Sequence, residues 1–293
     1  MKTIGKLLKN PISVLGLSLI LLNLTIALLA PFIAPPEESD DPYQIPRDGF
    51  SAIPKPPSFD HPLGTTEGQY DILYGVVWGT RTAFKVGLTV VAISIAVGII
   101  IGTTAGFFGG WIDELLMRIV DTFLGFPYLI AAMVITVVLG KGLDKVIIAL
   151  IAFGWMRYAR VIRSEVLAIK ESAYVEAVRN LGGSSLRIIF RHILPNSIYS
   201  VLIQGSMSIG STVIAAASLS FLGIGVETGY ADWGQMAIFA RNWIIGTAGN
   251  PLQYWYTIIF PSISIMLFVL GWNLLGDAVR DTFDPKMNRT NSE

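Results

Sequence analysis

The chain has 293 residues, of which 53% are hydrophobic and 14% charged, and its mean hydropathy is +0.60. A soluble domain carries about a quarter charged residues, so too little charge is present to cover a water-facing surface. Basic and acidic residues balance at 21 each, which removes a general electrostatic case for nucleic acid.

Cysteine is absent, so disulfides, thiolate metal sites and cysteine nucleophiles are excluded. His61 and His192 lie too far apart in sequence to suggest a histidine metal cluster.

Apolar runs set the class, because a helix needs about 20 mostly apolar residues to cross roughly 30 Å of hydrocarbon. The first run is Ile12 to Ile33, preceded by Lys2, Lys6 and Lys9. It is too long for a secretion-signal core and no small-residue cleavage site follows it cleanly, so it reads as a retained helix. From about Ala34 to Gly79 come prolines at 35, 36, 42, 46, 54, 56, 57 and 62. That density forbids a helix and would strip a sheet of ladder hydrogen bonds, which predicts an ordered or semi-ordered loop outside the membrane.

The second run spans about Thr82 to Phe108 and ends in Gly106-Phe107-Phe108-Gly109-Gly110. The third covers about Leu116 to Leu139, with Pro127 near its middle, and the fourth starts after Asp144 and reaches about Tyr158. The fifth covers about Ser197 to Leu222 and the sixth about Trp255 to Leu275. These runs predict an all-α membrane protein with six transmembrane helices.

With the N-terminus inside, one side of the membrane collects 14 basic residues and the other 7, which predicts both termini in the cytoplasm of a multi-pass plasma-membrane protein. The proline-rich loop then faces outward. It is acidic, with Glu37, Glu38, Asp40, Asp41, Asp48, Asp60, Glu67 and Asp71 against Arg47 and Lys55. The expected organisation is a cytoplasmic tail and first helix over 1–33, an extracytoplasmic loop over 34–80, a core over 81–277 and a cytoplasmic tail over 278–293. Within the core, an inner loop covers 164–196 and an outer loop 223–254.

The inner loop carries the densest signal. Tyr174, Ala177, Val178 and Leu181 share one face at helical spacing. Glu176 sits early and Arg179 late, each favourable to the helix dipole, and Gly182-Gly183 supplies a left-handed stop. A second segment presents Leu186, Ile189, Phe190 and Ile193 on one side and Arg187 and Arg191 on the other, before Pro195 opens the next span. Such a helix, lying across the membrane and joined rigidly to the fifth span, suits a knob that a cytoplasmic partner could move.

The stretch resembles the coupling loop of ABC importer permeases, in which Glu-Ala-Ala, three residues, Gly and a distal Leu-Pro recur. Glu176, Ala177, Gly182, Leu194 and Pro195 fall at those spacings, and Val178 departs from the third position. The resemblance implies a type I ABC importer permease fold whose coupling helix docks into a groove on an ATPase subunit. It assigns coupling to Tyr174, Val175, Glu176, Ala177, Arg179, Gly182, His192, Leu194 and Pro195. The partners it implies are a homologous second permease, two ATPases, an external substrate-binding protein and the lipid bilayer. ATP and Mg would belong to the ATPases, with no cofactor on this chain.

Three further stretches are similar to the second, C-type permease of oligopeptide/dipeptide importers: His192 to Asn196, Ser218 to Gly225 with Trp233-Gly234, and Gly276 to Pro285. The similarity runs from about Pro31 to Pro285. Ahead of the second span, Gly64, Thr65, Asp71, Gly79 and Arg81 keep the family's register. There Thr66, Gln69, Tyr70, Tyr74 and Gly75 replace its usual Asp, Gly, Arg, Ser and Arg, so an external surface is expected to lack three charged side chains. Oligopeptides or dipeptides are the leading substrate class, with oligosaccharides or nickel complexes as alternatives.

No phosphate-binding loop ending in Gly-Lys-Ser/Thr and no Gly-x-Ser-x-Gly elbow occurs, so the chain reads as a non-catalytic subunit. Gly102 to Gly110 reads as close helix packing. The small residues of the fifth span either pack or line a path; Ser206, Ser208 and Ser211, with Asn273 in the sixth span, are the pathway candidates. Asp121 is a further polar group at membrane depth. A gradient-driven carrier would need buried acids or broken helices at the midplane. The nearly charge-free helix centres count against it, and no constellation for an intramembrane enzyme is visible.

Overall fold

Helix α1 (Pro11–Ile33) starts where the Asn10 side chain accepts a hydrogen bond from the Ile12 amide and Pro11 presets the first turn. The computed structural model describes residues 10–37, 41–247 and 249–283. Lys2, Lys6, Lys9, Glu38, Asp40, Pro285, Lys286 and Arg289, used above for orientation or resemblance, lie outside the described residues.

Helix α2 (Ile72–Phe108) begins ten residues earlier than expected, which shortens the outer loop to 34–71. Asp71 caps it by accepting from the Tyr74 amide at 2.7 Å. Gly75 and Gly79 do not break this helix. A Cβ on Gly75 would lie 2.5 Å from Met236 Sδ, and one on Gly79 2.6 Å from Trp233 Cδ1, so packing outweighs their low helix propensity.

The third expected span is two helices, α3 (Gly110–Leu124) and α4 (Tyr128–Leu139), set 85° apart around Pro127. Helix α5 (Leu143–Lys170) continues 12 residues past the expected end at Tyr158. Then follow α6 (Ala173–Asn180), α7 (Ser185–Ile188), a wide π turn over Ile189–Ile193, and α8 (Leu194–Phe221). The last three form one continuous rod from Ser185 to Phe221. The second outer loop contains α9 (Trp233–Ala240), and α10 (Trp255–Phe283) ends the described chain.

By length and composition, α1, α2, the Ser185–Phe221 rod and α10 can each cross a membrane, and the bent α3–α4 pair passes the same test only when its two helices are taken together, as a broken span or a re-entrant loop. Helix α5 has 28 residues and would reach about 42 Å. Its basic second half keeps it from qualifying on apolarity, for reasons that lie in its partners. Both ends of the described chain meet at one end of the bundle, where Asn10 and Ser13 share a cleft with Asp277 and Arg280.

The most extensive helix seam among the described residues joins α2 to α5. A Cβ on Gly98 would lie 2.5 Å from Tyr158 Cβ, and one on Gly106 3.0 Å from the Arg163 carbonyl; one on Gly102 would collide with the Ala159 carbonyl. Contacts advance four residues at a time on both helices, so they run parallel in fixed register. Small residues permit this approach, and dispersion holds it where lipid offers no hydrophobic drive. Gly102→Val should therefore destabilise the fold by at least about 2 kcal/mol through overpacking. Gly249→Ala, where no atom lies within 4 Å of the new Cβ, should change stability by less than about 0.5 kcal/mol. Thermal unfolding in detergent compares the two.

Candidate functional site

Helix α6 ends as the sequence predicts. Gly182 has φ +79°, its amide donates to the Arg179 carbonyl, and the Gly183 amide donates to the Val178 carbonyl, each at 3.0 Å. These two bonds form a Schellman stop, and a Cβ at Gly182 would strain it. Glu176 and Arg179 occupy the first and last turns.

The buried face differs from the expected one. Val175 is fully buried and Val178 packs beside it, against Val166 of α5 and Ile188, Ile189 and Ile193 of the rod. Tyr174, Ala177 and Leu181 turn outward instead, with Leu181 88% exposed. The π turn causes a parallel change downstream. The Leu194 amide reaches back five residues to the Ile189 carbonyl, just ahead of Pro195, which has no amide to donate. Ile189 and Ile193 are thereby buried, while Leu186 and Phe190 are 66% and 67% exposed.

Among the expected coupling residues, the Tyr174 and His192 rings come together at 6.3 Å. Leu194 packs against the core, and Pro195 is exposed. The loop is tied to the bundle on both sides. Lys170 Nζ donates to the Phe107 carbonyl at the end of α2 (2.6 Å), and Ser200 donates to Glu165 (2.7 Å). Arg163 grips Asp113 of α3 with two nitrogens, and Arg160 pairs with Asp121. Asp121, read as a candidate at membrane depth, is thus an exposed ion-pair partner.

A cavity of about 240 Å³ lies between α2, α5, α8 and the start of α4. Ser208 and Ser211 line it, as the sequence suggests. Ser206 does not; its hydroxyl donates to the Ile203 carbonyl and sits beside Gly276. Asn273 is exposed on α10, away from the cavity lining. Ser94 of α2 and Arg157 of α5 also line the cavity and were missed. Ser94 looks like an ordinary small helix residue, but Arg157 could have been found from the Arg157, Arg160, Arg163 spacing on one face of α5. The bend at Pro127 is one of the features a gradient-driven carrier calls for, yet among the described residues no carboxylate lines the cavity.

The proline-rich loop is ordered against α2 and α9. Thr66, Gln69, Tyr70, Tyr74 and Gly75, expected to alter an external surface, are all buried within the chain. Gln69 holds φ +64° where the family usually has glycine, and its amide donates to the Ser51 and Ile53 carbonyls. Tyr70 stacks on Phe239 at 4.8 Å beneath the Arg47 guanidinium. The substitutions thus rebuild an internal seam.

His61 clamps this loop to α2. Its Nδ1 lies 2.6 Å from Asp71, the α2 cap, and its Nε2 3.3 Å from Asp48, which also pairs with Lys55. Burial opposes charge on His61, but hydrogen bonding and ion pairing with Asp71 and Asp48 outweigh it and raise its pKa. Hydrogen bonding to Lys55, above all, lowers that of Asp48.

Residues 98–289 match the family of binding-protein-dependent transport system inner membrane components, and residues 3–57 the N-terminal TM domain of oligopeptide transport permease C. The dipeptide transport system permease protein DppC of Bacillus subtilis (strain 168) is 34% identical over 97% of this chain and 85% of its own length. The glutathione transport system permease protein GsiD of Pectobacterium atrosepticum is 34% identical over 96% of this chain and 89% of its own. The oligopeptide transport system permease protein OppC of Bacillus subtilis is 33% identical over 96% and 87%. Among solved structures, the inward-facing MetNI methionine ABC transporter shares the fold, with TM-score 0.58 at 18% identity over 73% of this chain and 98% of that one.

The His61 clamp predicts a pH window. A raised histidine pKa contributes stability below its ordinary value of 6.5 that is lost as pH rises through the folded value. A lowered Asp48 contributes above 3.8 and is lost as pH falls through its folded value. Amide exchange over residues 48–71 should therefore be slowest between pH 3.8 and 6.5 after correction for intrinsic rates. The rise above that window should disappear in His61→Gln.

Proposed function

The chain belongs to the binding-protein-dependent transport system inner membrane components, as a C-type ABC importer permease, and on that premise we propose that it forms half of a translocation pathway for dipeptides or oligopeptides. A homologous permease completes the pathway, two ATPases hydrolyse ATP beneath it, and an external binding protein delivers substrate to the outer loops. Both termini are then cytoplasmic.

The observation that carries this reading is the apolar stripe left uncovered at the end of the bundle opposite the outer loop. Tyr174 and Leu181 of the α6 stretch and Leu186 and Phe190 of the rod are 47%, 88%, 66% and 67% exposed. Val175 pins the same short helix to the core from behind. Large apolar side chains left exposed on one loop, held on a base packed into the core, are the kind of surface a stable protein partner covers. Val175 and Val178 pack α6 against Ile188, Ile189 and Ile193, and because Ser185 to Phe221 is one rod, a push on α6 passes through that contact to Ser208 and Ser211 in the central cavity.

The peptide assignment rests on the names of the relatives, dipeptide and oligopeptide permeases among them. Glutathione, named for another relative, is itself a short peptide and falls in the same class.

Purification with the neighbouring operon proteins tests the reading. Leu181→Asp and Tyr174→Asp should leave the permease pair intact but lower ATPase recovery and ATP-driven peptide uptake by about tenfold or more, as expected for a buried interface anchor. Unchanged ATPase association and uptake in both variants would contradict it.

A further inference from the structure

Three arginines stand three residues apart on α5, and their fates differ. Arg163 pairs with Asp113 and Arg160 with Asp121. Arg157, the next along, has no ion-pair or hydrogen-bond partner among the described residues, because α3 has ended at Leu124 and carries no third carboxylate in reach. Arg157 is instead exposed and lines the central cavity, where it is the one charged lining residue among the described residues.

A second group in that cavity is also unsatisfied. The Ser94 hydroxyl is buried, with Ser94 1% exposed, and it has no hydrogen-bond partner. It fills space that Gly154 leaves open, since a Cβ there would lie 2.5 Å from Ser94 Oγ. Its neighbours behave ordinarily: Ser208, Ser211 and Thr212 each donate to a carbonyl one turn back. A buried hydroxyl left without a partner is costly, and Arg157, exposed at the cavity, is free to pair. An acceptor-only ligand entering the cavity satisfies both groups.

Depth identifies the ligand. Ser94 lies 14 residues before the end of α2, and Ser208 lies 13 before the end of the Ser185–Phe221 rod, each long and apolar enough to cross a membrane, so the cavity sits about 20 Å or more from either end of both helices. Lipid phosphates lie near the ends, outside roughly 30 Å of hydrocarbon. What reaches the middle is what the pathway carries. A peptide's C-terminal carboxylate accepts two parallel bonds from a guanidinium and retains capacity for a hydroxyl.

Resting on the peptide reading above, we propose that Arg157 and Ser94 form a transient binding station for the C-terminal carboxylate of a peptide in transit. The remaining hydroxyls leave the station otherwise neutral, so a single cation holds the ligand. One ion pair suits a pathway in which binding must be strong enough to admit the substrate and weak enough to release it.

The test uses the complete importer with its binding protein in proteoliposomes, and one peptide made both as free acid and as C-terminal amide. Uptake by each variant is divided by wild-type uptake for each peptide, so any preference of the binding protein cancels. Arg157→Gln should lower the ratio about tenfold for the free acid, as for loss of a charge-assisted pair, and leave the amide ratio near one. Arg157→Lys should retain part of the free-acid ratio, and Ser94→Ala should lower it by a smaller factor with no effect on the amide.

Equal losses for acid and amide would overturn the proposal and identify Arg157 as a partner for a carboxylate on the second permease. Unchanged ratios in all variants would also overturn it. If Arg157→Gln prevents assembly, Arg157→Lys and Ser94→Ala decide by the same acid-to-amide comparison. Absence of ATP-driven peptide uptake by the wild-type complex would instead overturn the peptide reading itself.

Discussion

Gly98, Gly102 and Gly106 recur every fourth residue along α2, and α5 lies against them so closely that no side chain fits between. This contact fixes the register of two long parallel helices, and the rest of the functional apparatus depends on that register. Above the seam, Gly154 and Ser94 face each other at the rim of the central cavity. Below it, the last turns of α5 hold α3 through Arg163 and Arg160, close the end of α2 through Lys170, and support Val175 through Val166. Sliding α5 by one turn would disturb cavity, ladder and coupling loop together.

The coupling loop depends on a second local constraint. Pro195 cannot donate to the helical ladder, and a wide turn over Ile189–Ile193 precedes it. The extra residue rotates Ile189 and Ile193 into the core and Phe190 outward, while the backbone continues into α8 without interruption. An apolar stripe is thus presented on a base that is mechanically part of the pathway-lining helix. The outer loop has a comparable fixed point in His61, which binds it to the cap of α2.

Hydropathy made the spans legible wherever lipid or a packed core demands apolar residues, and the Gly182 stop and the Glu176–Arg179 polarity were legible from local chemistry. Helix α5 extends beyond the sequence expectation because Arg157, Arg160 and Arg163 look like a cytoplasmic loop; the carboxylate partners of Arg160 and Arg163 lie on α3, 39 and 50 positions away. The sequence groups Tyr174, Ala177, Val178 and Leu181 on one face, but of these Val178 alone packs with Val175 into the core, because Val166, Ile188 and Ile189 lie on that side. Of the pathway candidates, Ser208 and Ser211 line the cavity, whereas composition could not separate them from Ser206 and Asn273, which face elsewhere.

The central claim is that α6 and α8 move as one body. The chain has no cysteine, so paired spin labels at Ala177→Cys and Leu202→Cys, both exposed positions, report one distance within the assembled importer. The account predicts that this distance stays within about 2 Å, the scale of small helix shifts, between the nucleotide-free and ATP-bound states. Over the same transition, the distance from Ala177→Cys to its counterpart on the second permease should change. A change within the chain that follows ATP binding would contradict rigid coupling and place a hinge between α6 and α8, at the Gly182-Gly183 turn or the π turn.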